Sequence, residues 1–177
     1  VLDLGSGSGD LLQLLADEKS VAGTGVEVSE EKVYECVNKG LSVHHGDIDE
    51  GLSDFPDQAF DYVILSQTLQ EIHYPGLVIR EMLRVGRRGI VSFPNFAHWR
   101  CRWQLLVHGT TPMPSTHPFD WDETPNIQYL SIKDFERLCA KEHFDVVHRL
   151  FLSGGGPIDF LPNFMAETAI FVLTRGG

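Results

Sequence analysis

The chain has 177 residues, 42% hydrophobic and 22% charged, enough to bury a proper globular core. Its formal net charge of −11 excludes a nucleic-acid partner, because phosphate contacts need clustered Lys and Arg. No stretch approaches the roughly 18 apolar residues of a membrane span and no signal peptide is recognisable, so the expected setting is cytoplasmic, without a membrane partner.

The chain begins at Val1, already inside an apolar strand (Val1–Leu4) and without Met, so residues upstream are expected to be missing. The glycine-rich turn Gly5-Ser6-Gly7-Ser8-Gly9 leads into a helix over Asp10–Glu18, and Ala22–Val28 reads as the next strand. Ser29 suits a helix cap, with Glu30 and Glu31 favourable in the first turn, Val33 and Val37 on one face, and Gly40 at the end. Ser42–His45 is a short third strand, Asp61–Leu65 a fourth, Pro75–Arg84 a helix and Gly89–Pro94 a fifth strand.

The alternation breaks from Asn95 to Leu130, a long irregular stretch with Trp99, Trp103 and Trp121 that reads as a lid or substrate wall. Within it, His98–His108 suits a helix carrying Trp99, Trp103 and Leu106 on one side, where they serve as lid and as closure of the core edge. Ser131 with Asp134 forms an S-x-x-D helix start, and Ile132, Phe135, Leu138 and Cys139 fall on the buried side. Phe144–Leu152 and Thr168–Thr174 are two closing strands, joined by a loop containing Gly154, Gly155, Gly156 and Pro157. The pattern predicts one α/β domain over residues 1–177, with a doubly wound, Rossmann-like sheet and right-handed crossovers.

A strand running into glycines and then a helix is a seat for a nucleotide-type ligand: the glycines permit a tight turn and close approach to backbone N–H groups. Glu27, at the end of the next strand, can accept from both hydroxyls of a ribose. The spacing Asp3-x-Gly5-x-Gly7-x-Gly9 departs from the dinucleotide pattern G-x-G-x-x-G, whose third glycine would fall on Asp10. An acid just before the first glycine would repel a pyrophosphate but suits a cationic amino group, and the adenosine ligand with such a group is S-adenosylmethionine (SAM).

Ligands in such folds sit beyond the carboxyl ends of the strands, at the switch point. Those ends supply Asp3, Gly5, Ser6, Gly7 and Gly9; then Glu27 and Val28; then Asp47 for the adenine amino group and Ile48 for the ring; then Leu65, Ser66 and Gln67 for the methionine end. Pro94 and Asn95 face the substrate side.

His73, after the fourth strand, and His98, after the fifth, are the candidate catalytic bases; a helix entry and a packing role are the alternative readings. His44 and His45 are consecutive on a strand and face opposite sides, while His108, His117, His143 and His148 lack ligand spacing, so no metal is expected. The separated Cys36, Cys101 and Cys139 suit reduced, half-buried thiols.

Three runs carry a resemblance: Asp61 to Gln70 (DYVILSQTLQ), Arg80 to Arg88 (REMLRVGRR) and Val91 to Arg100 (VSFPNFAHWR), with Asp122 to Ile127 (DETPNI) beside them. The sequence resembles the MetW family of methionine biosynthesis proteins over essentially its whole length. That family usually has Cys and Asp where Ser6 and Ser8 stand, both exchanges for small polar residues. The resemblance implies a class I methyltransferase sheet with a terminal antiparallel hairpin, SAM or S-adenosylhomocysteine as ligand, and homoserine O-acyltransferase as a partner that the protein activates. Direct methyl transfer to a small molecule is the alternative.

Overall fold

The computed structural model describes residues 1–114 and 120–176; His117 and part of the expected lid lie outside the described residues. In chain order the elements are β1 (Leu2–Leu4), α1 (Asp10–Lys19), β2 (Thr24–Glu27), α2 (Glu30–Asn38), β3 (Ser42–His45), β4 (Phe60–Ser66), α3 (Pro75–Val85), β5 (Gly86–Pro94), α4 (Trp99–Trp103), α5 (Ile132–Glu142), β6 (Phe144–Ser153), β7 (Gly156–Pro157), α6 (Pro162–Met165) and β8 (Thr168–Arg175). All strands join one eight-stranded sheet in the order β3-β2-β1-β4-β5-β8-β6-β7.

The strands β3, β2, β1, β4 and β5 are parallel; Leu2 sits opposite Thr24 on one side and Val63 on the other. Successive connections leave β1 in both directions, so the switch point lies between β1 and β4. The expected terminal hairpin is present: β6 runs antiparallel to β8, from Phe144 opposite Arg175 to Leu152 opposite Thr168, with a register shift between Val146 and His148. Its return strand β8 is also the antiparallel neighbour of β5.

Local chemistry accounts for the elements. All of β1 is buried, so it carries no polar alternation. Ser29 caps α2 by accepting from the Lys32 N–H, and Ser131 with Asp134 forms a reciprocal capping box on α5. Pro75 occupies the first turn of α3, where its missing N–H costs nothing, and Val78, Ile79, Met82, Leu83 and Val85 form the buried face. Under β5 and β8, the rings of Phe93, Phe135 and Phe171 meet at centroid distances of 4.7 to 5.9 Å. Each buried ring contributes about 1.5–3 kcal/mol by leaving water.

The helix expected at His98–His108 is real: α4 continues as a π-helical turn over Gln104–His108. Its orientation corrects the expectation. Cys101 is the buried residue, whereas Trp103 and Leu106 are 57% and 81% exposed, so they do not close the core. The edge is already sealed by polar anchors at the base of α4. Asn95, wholly buried, donates to the carbonyls of Ala166 and Asn163 and accepts from the Ala97 N–H.

Candidate functional site

The carboxyl ends of β1, β2, β3 and β4 open on one cavity of about 360 Å³, within the range for small-ligand sites. Its wall includes Gly5, Glu27, Val28, Asp47, Ile48, Ser66 and Gln67, all anticipated from strand ends. Of the other anticipated residues, Ser6, Gly7 and Gly9 belong to the glycine turn, Asp3 is buried in β1, and Leu65 is a core residue at 0% exposure.

The glycine turn is built as its composition requires. Gly5, Gly7 and Gly9 have φ of 68°, 56° and 79°, the left-handed region that side chains resist. The N–H groups of Gly5 and Ser6 both donate to the Val26 carbonyl, at 2.9 and 3.1 Å, folding the turn over β2. A Cβ on Gly5 would lie 2.6 Å from Thr68 Cγ2, whereas one on Gly7 would meet nothing within 4 Å. The turn is therefore tight at its root and open at its tip, as a cradle for a ligand must be.

Glu27 joins the turn to the next helix. Its Oε2 accepts from the Gly7 N–H at 2.8 Å and its Oε1 from the Ser29 N–H at 2.9 Å, and the residue is buried. Each oxygen retains a second lone pair, so two ribose hydroxyls can be received without breaking either bond.

Asp3 lies buried nearby, in the middle of β1. Burial, and then the neighbouring charge of Glu27, push its pKa up to about 7. A cationic group beside it would reverse that shift.

On the β3 side, Asp47 Oδ1 accepts from the Asp49 N–H at 2.9 Å, which forms the turn that exposes Ile48 to the cavity. On the β4 side, Gln67 adopts a φ of 55° and its N–H donates to the Ser92 carbonyl at 3.0 Å. Ser66 Oγ lies 3.2 Å from Ser92 Oγ, so β5 sets the position of both wall residues.

Sequence reasoning missed Lys32, Asp49, Thr68, Glu71 and Ile72, which also line the cavity. The available signals were local: Lys32 is in the first turn of the helix that Ser29 caps, and Thr68 and Glu71 are polar residues three apart, just beyond β4. Burial pushes the Glu71 carboxyl up, and Lys32 pulls it down.

Neither candidate base lines this cavity. His73 is exposed at the entry to α3, with Nδ1 3.2 Å from Asp49 Oδ2. Asp49 also accepts from the backbone N–H groups of His73 and Tyr74; burial raises its pKa, but these bonds outweigh burial and leave it low. His98 is buried; its Nδ1 accepts from the Arg100 N–H at 3.4 Å, its ring bonds the Met165 backbone, and burial lowers its pKa. Among the described residues, no group of three or more His, Cys, Asp or Glu side chains could hold a metal ion, and no helix is long and apolar enough to cross a membrane.

The strand order, the glycine turn after β1 and the acid ending β2 define a class I methyltransferase-like fold. Solved structures share this fold: a SAM-dependent methyltransferase from Archaeoglobus fulgidus has a TM-score of 0.73 at 16% identity, over 98% of this chain and 85% of its own. One from Mesorhizobium loti has a TM-score of 0.71 at 14% identity, over 98% and 90%.

The family model for methionine biosynthesis protein MetW matches residues 1–173, and the chain belongs to that family. A bifunctional methionine biosynthesis protein MetXA/MetW of Rhodopirellula baltica is 37% identical over 188 residues, covering 99% of this chain. This chain spans 30% of that relative's length. A demethylmenaquinone methyltransferase of Listeria welshimeri is 27% identical over 176 residues, 88% of this chain and 74% of its own.

Proposed function

We propose that the protein is a SAM-binding subunit of methionine biosynthesis that docks on homoserine O-acyltransferase and raises its activity. The cofactor half rests on Glu27, a buried carboxylate bonded to the Gly7 N–H at the cavity wall with lone pairs to spare for a ribose. The residues fit the ligand: Asp47 and Ile48 would receive the adenine, and the glycine turn with Asp3, Ser66 and Gln67 the amino-acid end. When bound, SAM supplies an activated methyl group on a cationic sulfonium. The chain's own contribution is to bind and orient, because neither His73 nor His98 reaches the cavity.

The partner half rests on the bifunctional relative, in which a MetW-like region shares one polypeptide with MetXA. One chain carrying both holds them at the high effective concentration that a working complex needs.

Two measurements on the full-length protein test the reading. Calorimetric titration with SAM and S-adenosylhomocysteine should give a micromolar dissociation constant, about −8 kcal/mol. Addition of saturating protein to the homoserine O-acyltransferase of the same organism should raise its rate. Unchanged acyltransferase rates reject the activating role, and SAM-dependent methylation of a metabolite would put a methyltransferase in its place.

A further inference from the structure

The helix of α4 and its π turn is amphipathic in the wrong sense for a monomer. Trp99, Trp103, Leu106 and Val107 recur at helical spacing and are 39%, 57%, 81% and 52% exposed, while Cys101 faces inward at 2%. Arg102 links this stripe to a second apolar group. Its guanidinium lies 5.4 Å from the ring centroid of Phe164 in α6, and Phe160 and Leu161, just before that helix, are also exposed.

The base of the stripe is firmly fixed. The Arg102 Nε donates to the Ala97 carbonyl at 2.6 Å, the Arg100 guanidinium pairs with Glu167, and buried Asn95 and His98 hold the segment to the start of β8. A rigidly mounted row of Trp and Leu with Arg at its margin has the composition of an interface hot spot.

We propose that this stripe, with the Phe160–Phe164 group beside it, is the surface that docks homoserine O-acyltransferase. The inference rests on the partner reading above, since the occupant is argued from the relative in which the MetXA region and this one are a single chain. The net charge of −11 opposes attraction to an anionic lipid surface.

The test measures binding of the full-length protein to the acyltransferase of the same organism by calorimetry and sedimentation. The variants are Leu106→Glu, the pair Trp103→Glu with Leu106→Glu, and Tyr34→Glu on α2 as a distant exposed control. The expected result is at least a tenfold weaker complex for Leu106→Glu, loss of the complex for the pair, and no change for Tyr34→Glu. SAM titration and far-UV circular dichroism confirm that each variant is folded.

A pair variant that binds as tightly as the wild type overturns the surface and leaves the partner reading standing. A wild-type protein that does not bind the acyltransferase overturns both. A wild-type dimer that Leu106→Glu converts to monomer assigns the stripe to a second copy and overturns the proposal.

Discussion

Glu27, at the end of β2, and Gly7, in the turn between β1 and α1, are joined by a 2.8 Å hydrogen bond from the glycine N–H to the buried carboxylate. One side chain thus shapes the glycine turn and forms the cavity wall. Glu27→Ala removes two charge-assisted bonds from backbone donors, each worth about 1.5–3 kcal/mol. SAM affinity should fall by at least tenfold and the denaturation midpoint should drop with it. Calorimetry and urea unfolding on the same variant measure the two effects.

The glycine turn should respond unequally along its length. Gly5→Ala combines a left-handed backbone, about 1–2 kcal/mol, with a Cβ placed 2.6 Å from Thr68 Cγ2. Gly7→Ala bears only the backbone cost, because nothing lies within 4 Å of its Cβ position. Unfolding should show Gly5→Ala as clearly the less stable, while Gly7→Ala, filling the open cradle, weakens SAM binding more than stability.

Asp3 gives the site a pH dependence of definite sign. Its folded pKa of about 7 stands above the ordinary aspartate value of 3.8, so between these values the folded protein holds the extra proton. Its contribution to stability therefore falls as pH rises from about 4 to about 7, and is level above that. Asp3→Asn should remove this slope, stabilising the protein at pH 8 relative to wild type. A ligand ammonium beside Asp3 favours the carboxylate, so SAM binding near pH 6 should release protons. Titrations in buffers of different ionisation enthalpy measure that release, and Asp3→Asn should abolish it.

Arg84 anchors the segment between β3 and β4. It reaches both oxygens of Glu81 at 2.9 and 2.8 Å, Asp57 at 2.7 Å, and the carbonyls of Phe55 and Leu52 at 3.0 and 2.9 Å. Arg84→Ala should cost about 2 kcal/mol, most of it from partly buried acceptors left unpaired. Arg84→Lys should recover less than half, since an ammonium cannot span the fork. SAM affinity, read by calorimetry, should not change.

The strands and their ends were legible because each carries a local signal: the strands give way to turn or polar residues at Gly5, Glu27, Asp47 and Ser66, and all four line the cavity. Residues that reach the cavity from the start of a helix or from a turn, such as Lys32 and Glu71, were only half legible: the local pattern marks a polar helix start or turn but does not say which side of it faces the ligand. The helix after Asn95 shows the same boundary. Its spacing gave the helix and the shared face of Trp99, Trp103 and Leu106, but periodicity carries no inward or outward sign. The segment is held in place by long-range bonds from Asn95 to the carbonyls of Asn163 in α6 and Ala166 just after it, partners 68 and 71 residues away that no local pattern reveals.

The place of β8 has a consequence for how the chain is made. Because β8 hydrogen-bonds both β5 and β6, β6 reaches the sheet only through the strand that follows it. During synthesis, β5 waits with a bare edge and the ten-residue β6 without its main partner until β8 leaves the ribosome. Two unpaired strands in an incomplete sheet are templates for pairing with other nascent chains. Late emergence of β8 makes this the stage at which holding chaperones should matter most, and at which crowding of incomplete chains should most reduce the yield of active protein.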